Sequence, residues 1–229
     1  MGSWVSWSSM STRLARPTLA SALASALGLS LEGDDLEIAS VTPLSAPRER
    51  ALTFAIRQVP AGLPGALVVL STEKPEGATW IRSERPRLDF VKSLQWLDRT
   101  VGFERPVSEP QIHASVKIGS GVSIGRGVTI GEGTVLEHNI RIADGVQIGK
   151  DCHIKSGAVI GEDGFGFERD LDGTPLRMVH LGGVVIGDRV EVGSLTTVCQ
   201  GTLLPTIIED DAKVDDHVHV AHNCRLKKM

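Results

Sequence analysis

The residues of this chain best suited to chemistry lie near its end, in KVDDHVHVAHNCRLKKM, Lys213–Met229. His217, His219 and His222 crowd together there, directly after Asp215 and Asp216. Imidazole is the side chain that exchanges protons near neutral pH, so a histidine beside a carboxylate reads as a general base, the carboxylate orienting the ring and stabilising the imidazolium. The spacing of His217 and His222 offers a second chemistry, a pair of zinc ligands. A catalytic zinc takes three protein ligands and a water, and Cys199 is the available third. The third reading is a polar corner that carries solvated histidines. The elements that hold these side chains decide among the three.

Those elements are a repeat. From Ile112 an aliphatic residue returns at every sixth position, through Ile118, Ile124, Ile130, Leu136, Ile142, Ile148, Ile154 and Ile160. Four places after most of them comes a second small or branched residue: Val116, Val122, Val128, Thr134, Ile140, Val146, Cys152 and Ala158. Glycines fall at the corners, as in IGSGV and IGRGV, where a turn needs positive φ or no Cβ. Neither a helix nor an alternating strand generates this period. Three short faces per coil, each burying one aliphatic in the lumen, do: a parallel β-helix. The register breaks over GEDGFGFERDLDGTPLRMVHLGGV and again over QGTLLPTI, which predicts loops extruded near 161–184 and 200–207. It resumes each time, placing Val214, Val218, Val220 and Cys224 in the lumen. His217 and His219 then project outward and His222 stands at the corner after Val220, with Cys199 and Gln200 one coil below.

The rest of the chain follows a different pattern. Leu19, Leu23, Leu27 and Leu29 predict an amphipathic helix within STRLARPTLASALASALGLSL. LEIASVTPL, ALTFAI and GALVVLS predict strands, and RPRLDFVKSLQWLDRTVG a helix opening after Pro86. The expected organisation is a tail over 1–9 with an alternative start at Met10, a small α/β domain over 10–102, a proline-marked linker over 103–111, and the coil over 112–229. The chain has 229 residues and a formal net charge of −4. That charge gives no general attraction for nucleic acid or anionic membranes. Its 41% hydrophobic residues suffice for a core. An odd three cysteines suit a reducing compartment, and no run approaches the roughly 18 apolar residues of a membrane span.

On these residues the chain resembles the UDP-3-O-acylglucosamine N-acyltransferases of lipid A biosynthesis, hexapeptide-repeat enzymes. GEDGFGF, Gly161–Phe167, is similar to that family's GADGFGF loop, and KVDDHVHVAHN to its K-L-D-N-x-x-x-I-A-H-N. LGGVVIGDRVEVGSLTTV resembles the stretch between them, while LEGDDLEIASVTPLSAPRERALTF and RPRLDFVKSL resemble the nucleotide-binding domain. The resemblance implies a small α/β domain followed by a left-handed parallel β-helix, in a cytoplasmic homotrimer with active sites between subunits. It implies a 3-hydroxyacyl group carried on acyl carrier protein, an acceptor 2-amino group on UDP-3-O-acylglucosamine, no cofactor beyond the carrier's phosphopantetheine and no metal. His222 matches the catalytic histidine and Asp215 the aspartate beside it. Phe54, Arg57, Asp163, Phe165, Phe167, Gln200, Asp216 and Asn223 fall at positions expected to bind substrate.

The departures are specific. Arg57 replaces an asparagine of the family's uracil site, and the chain contains no tyrosine, whereas the family stacks uracil between a phenylalanine and a tyrosine. VCQG replaces I-D-R-G at Val198–Gly201, and Asp216 replaces an asparagine. Family members continue with further coils and a helix, which leads us to expect a shortened relative or a fragment. The alternatives are a catalytically degenerate sugar-nucleotide-binding or assembly protein and a zinc-dependent, carbonic-anhydrase-like enzyme.

Overall fold

A computed structural model describes residues 12–228. The expected tail and the alternative start at Met10 lie outside these described residues. The chain divides into two compact units: residues up to Glu104 together with Gly166–Val179, and Arg105–Phe165 together with His180 onward.

The first unit is a sheet with two helices. Its elements are β1 (Arg13–Leu19), α1 (Ala20–Leu27), β2 (Ser30–Glu32), β3 (Glu37–Val41), β4 (Ala51–Phe54), β5 (Leu67–Ser71), β6 (Thr79–Arg82) and α2 (Pro86–Thr100). The sheet order is β1-β3-β4-β5-β6-β2, parallel through β3 to β6, with antiparallel edges at β1 and β2. Strand β5 is buried along its whole length, as a central parallel strand covered on both faces must be. Helix α2 opens on Pro86, whose missing N–H costs nothing at a first helical position. It buries Leu88, Phe90, Val91, Leu94 and Leu97 on one face. Between the two halves of the coil, Phe167–Arg169 and Pro175–Arg177 pair as a hairpin that belongs to this unit. Arg87–Glu168 and Lys92–Asp170 ion pairs of 2.6 and 2.7 Å tie it to α2.

One element differs from the sequence reading. The helix expected across the amino-terminal leucines covers only Ala20–Leu27, and the residues before it form edge strand β1. Pro17 explains the change: it biases the residue before it toward extended backbone and, lacking an N–H, is tolerated at a sheet edge. Leu19 is therefore 45% exposed, while Leu23 and Ala24 carry the buried face. Strands β2 and β6 were not singled out in the sequence. Gly28, with φ 68°, closes the helix by donating its N–H to the Ser25 carbonyl, and Leu29 donates to Ala24.

The second unit is a left-handed parallel β-helix of three sheets. Strands of two or three residues end on the predicted aliphatics, and each pairs in parallel with its equivalent one coil away, as Ile130 with Ile148 and Val198 with Val220. Ile130, Leu136, Ile142, Ile148, Ile154, Ile160, Ile186, Val192, Val198, Ile208 and Val220 form one buried core. Thr196 and Thr134 place buried hydroxyls at lumen positions, and Thr134 shows how they are accommodated. It is satisfied by donating to the Gly149 carbonyl at 2.9 Å and accepting the Cys152 N–H at 3.1 Å. Corner glycines allow coils to stack at strand spacing: a Cβ on Gly131 would stand 2.6 Å from the Gly149 carbonyl oxygen.

Candidate active site

His222 is held by the strand before it and by the corner it occupies. His219–Val220 pairs with Thr197–Val198, so the register sets Gln200 one coil below His222. Val220 is buried in the lumen, with Val218 and Cys224 packed against the same core. The backbone then turns, with Asn223 in the left-handed region at φ 61°. Asn223 is built into the neighbouring coil: its Oδ1 accepts the Thr202 N–H at 2.8 Å, and its own N–H donates to Thr206 Oγ1 at 3.0 Å. Its Nδ2 lies 2.8 Å from His222 Nδ1 and 3.1 Å from Thr202 Oγ1.

Two further residues close around the His222 ring. His180, 2% exposed, packs edge-on against it, with ring centroids 5.1 Å apart and planes at 64°. Gly164, from the GFGF stretch, approaches so closely that a Cβ there would stand 2.8 Å from His222 Cβ and Cδ2 and 3.0 Å from His180 Nε2. The glycine is used for close approach, since its φ lies outside the positive range. His180 was not singled out in the sequence. Its only signal there was a histidine at the point where the first extruded loop returns to the coil.

The loop and the coil are joined next to this pair. Gln200 Nε2 donates to Asp163 Oδ1 at 2.8 Å, and its backbone N–H donates to the Glu162 carbonyl at 2.9 Å. Gly182 and Gly201 pair through the Gly182 N–H and the Gly201 carbonyl at 2.8 Å, and a Cβ on either would run into the Leu204 carbonyl. Burial, and then the nearby Asp163 carboxylate, push the Cys199 thiol up, so it stays protonated.

The structure therefore gathers His222, Asn223, Gln200 and Asp163 around one corner. Asp215 and Asp216 lie at the preceding corner of the same coil, on the other side of strand His219–Val220. The Asp215 carboxylate accepts the Asp216 N–H at 2.8 Å, and Asp216 accepts the Ser194 N–H at 2.7 Å. The latter is a coil-stacking bond repeated by Asp188 with Lys150 and by Asp144 with Arg126. His217 shares that preceding corner, with φ 58°. The zinc pair suggested by spacing is thus split between two corners, and among the described residues no three histidines, cysteines or carboxylates are grouped to hold a metal ion.

Phe165 follows Gly164 and is 84% exposed. Phe167 lies in the hairpin of the first unit, where the Arg177 guanidinium sits 4.8 Å from its ring centroid. Also in the first unit, Phe54 stacks on Phe90 at 4.6 Å and 30°, which occupies one face of its half-buried ring. Arg57 is exposed three positions later. No helix among the described residues is long and apolar enough to cross a membrane.

The repeat matches the family described as bacterial transferase hexapeptide (six repeats) over residues 128–162. The chain is 35% identical to a UDP-3-O-acylglucosamine N-acyltransferase of Xanthomonas axonopodis pv. citri, over 90% of this chain and 71% of the relative. It is 31% identical to the enzyme of that name from Polynucleobacter asymbioticus, over 78% of this chain and 64% of the relative. Among solved structures it resembles a UDP-N-acetylglucosamine acyltransferase of Francisella novicida, with TM-score 0.46 and 27% identity, over 54% of this chain and 44% of that one. With 35% identity to the Xanthomonas enzyme over 90% of this chain and 71% of that relative, the chain belongs to the UDP-3-O-acylglucosamine N-acyltransferase family.

Proposed function

We propose that the protein transfers a 3-hydroxyacyl group from acyl carrier protein to the 2-amino group of UDP-3-O-acylglucosamine, or of a closely related nucleotide amino sugar, in lipid A biosynthesis. The observation that carries this reading is the meeting of GFGF and AHN, where Gly164 of one motif lies against the His222 ring of the other. In the transfer, the acceptor nitrogen forms a bond to the thioester carbonyl carbon, the C–S bond breaks, and the carrier's phosphopantetheine leaves as a thiol. The nitrogen must shed a proton as it attacks. His222 takes it, a contribution of about 10²–10⁴ in rate for a positioned base.

Asp163, Gln200, Asn223 and Phe165 are the second unit's candidates for contacting the substrates. Phe54, Arg57 and Phe167 are those of the first unit, which we assign to the nucleotide, with the Arg57 guanidinium suited to a diphosphate. Asp215 and Asp216 stand one face away from His222 within the chain. Asp215 would therefore support the base only across a subunit boundary, which a homotrimer with sites between subunits supplies. The donor brings its own pantetheine, so no separate cofactor or metal enters the scheme, and the cytoplasm holds both substrates.

The test is turnover of UDP-3-O-acylglucosamine with hydroxyacyl carrier protein. The expected result is N-acylated product from the wild type and a loss of at least about 10²-fold in His222→Ala. Nucleotide-sugar binding, read by thermal shift, should survive that substitution. Binding without turnover in the wild type would move the protein to the degenerate binding role.

A further inference from the structure

The bonds around Asn223 determine more than its own position. The backbone N–H of Thr202 can only donate, so the Asn223 atom 2.8 Å from it must be the acceptor Oδ1. Turning the amide over would set two donors against each other. The orientation of the side chain is therefore fixed by an unambiguous backbone donor. That leaves Nδ2, which also can only donate, 2.8 Å from His222 Nδ1. A ring nitrogen facing a donor at this distance must offer its lone pair, so the single proton of neutral His222 sits on the other nitrogen, Nε2.

We propose that Asn223 is a tautomer lock on His222: it holds the neutral imidazole in its Nε2–H form, and base action at Nε2 begins only when the amide leaves Nδ1. Asn223 is then a positioning residue that acts through His222. The inference deepens the acyltransferase reading in giving the lock a catalytic purpose, but the proton's location follows from the bonds alone. Locked, His222 presents a donor at Nε2. To take the acceptor's proton there, it must first carry its own proton on Nδ1, opposite a group that accepts.

The experiment is nitrogen-15 NMR of histidine-labelled full-length protein at about pH 8.5, above the ordinary imidazole range near 6.5. His222 signals are assigned by their loss in His222→Ala. Wild type is expected to show Nε2 protonated and Nδ1 bare. Asn223→Asp places an acceptor where Nδ2 was, keeps the Thr202 bond and tolerates the left-handed backbone. It is expected to invert the pattern, with Nδ1 protonated. Asn223→Gly, relaxed at positive φ, is expected to show both forms in exchange. A wild type with its proton on Nδ1, or an Asn223→Gly protein still wholly Nε2–H, overturns the lock, and those two readouts stand even if the aspartate variant does not fold. Full turnover in His222→Ala alongside a locked wild type would keep the lock and remove His222 as the base, so the two failures are distinguishable.

Discussion

At the scale of single residues, the site depends on close approach. The φ of Gly164 lies outside the positive range, so alanine there meets no left-handed penalty, yet its methyl group would press on His222 and His180. Gly164→Ala is expected to fold with stability lowered by about 1–3 kcal/mol from overpacking and to lose about 10²-fold in kcat, the cost of a displacement of roughly 1 Å at a reacting group. A parallel measurement of thermal stability and turnover checks this, and unchanged turnover would mean that the ring's position is not critical. His222 and Asn223 were legible as residue types in AHN. His180 was not, because its contact with His222 joins the end of a long extruded loop to a later coil, a distance no local pattern encodes.

At the scale of elements, the coil places strain at its corners. Leu195 adopts φ 58° and is 57% exposed, so it bears the left-handed penalty while burying little. Equivalent corners carry Asn139, Asp151 and Asn223, residue types that tolerate this region. Leu195→Asn is expected to raise stability by about 0.5–1 kcal/mol. A shift of the urea midpoint at constant slope would show it. A fall instead would mean that the contact of Leu195 with Gly157, 2.6 Å from a Cβ built there, outweighs the backbone term. The same elements show where pattern reading stops. The aliphatics on which the coil strands end follow from the six-residue period, which leaves no freedom of register, although strands Val184–Ile186 and Thr206–Ile208 begin inside the stretches expected as loops; β1 reads as part of a helix because helical leucine spacing overlaps an extended, proline-bearing edge.

At the scale of the whole molecule, carboxylates along the coil couple stability to pH. Glu137 is held below the ordinary range chiefly by hydrogen bonds from Ser156 Oγ and N–H, with His153 adding to them. Glu191 is lowered by Lys155, Glu209 by the Lys228 N–H and Arg225, and Asp211 by Arg189 and Lys228. Unfolded, these groups titrate near 4. The folded state therefore binds fewer protons there, and the stability these groups add is present above about pH 4.5 and lost as the pH falls through their lower folded values. Each effect is small because the groups are largely solvated. Denaturation midpoints should hold from about pH 7 to 5 and fall below about 4, less steeply in Glu137→Gln, where one linked proton is gone. An equal acid slope in that variant would remove Glu137 from the linkage.

The sequence by itself determined the coil, its lumen residues, the two interruptions and the outward placement of the histidines. Each follows from short-range periodicity, in which burying one aliphatic per face dictates where the next must fall. Only the tertiary structure decided that Gly164, His180 and Asn223 surround His222 and that Asp215 and His217 stand at a different corner. It also showed that Asp216 and Asn223 bond to the coil below, and that the hairpin over Gly166–Val179 belongs to the first unit. These outcomes depend on how far each loop travels before the chain rejoins its register and on which side-chain atoms then face a backbone donor. Spacing along the chain does not carry that information.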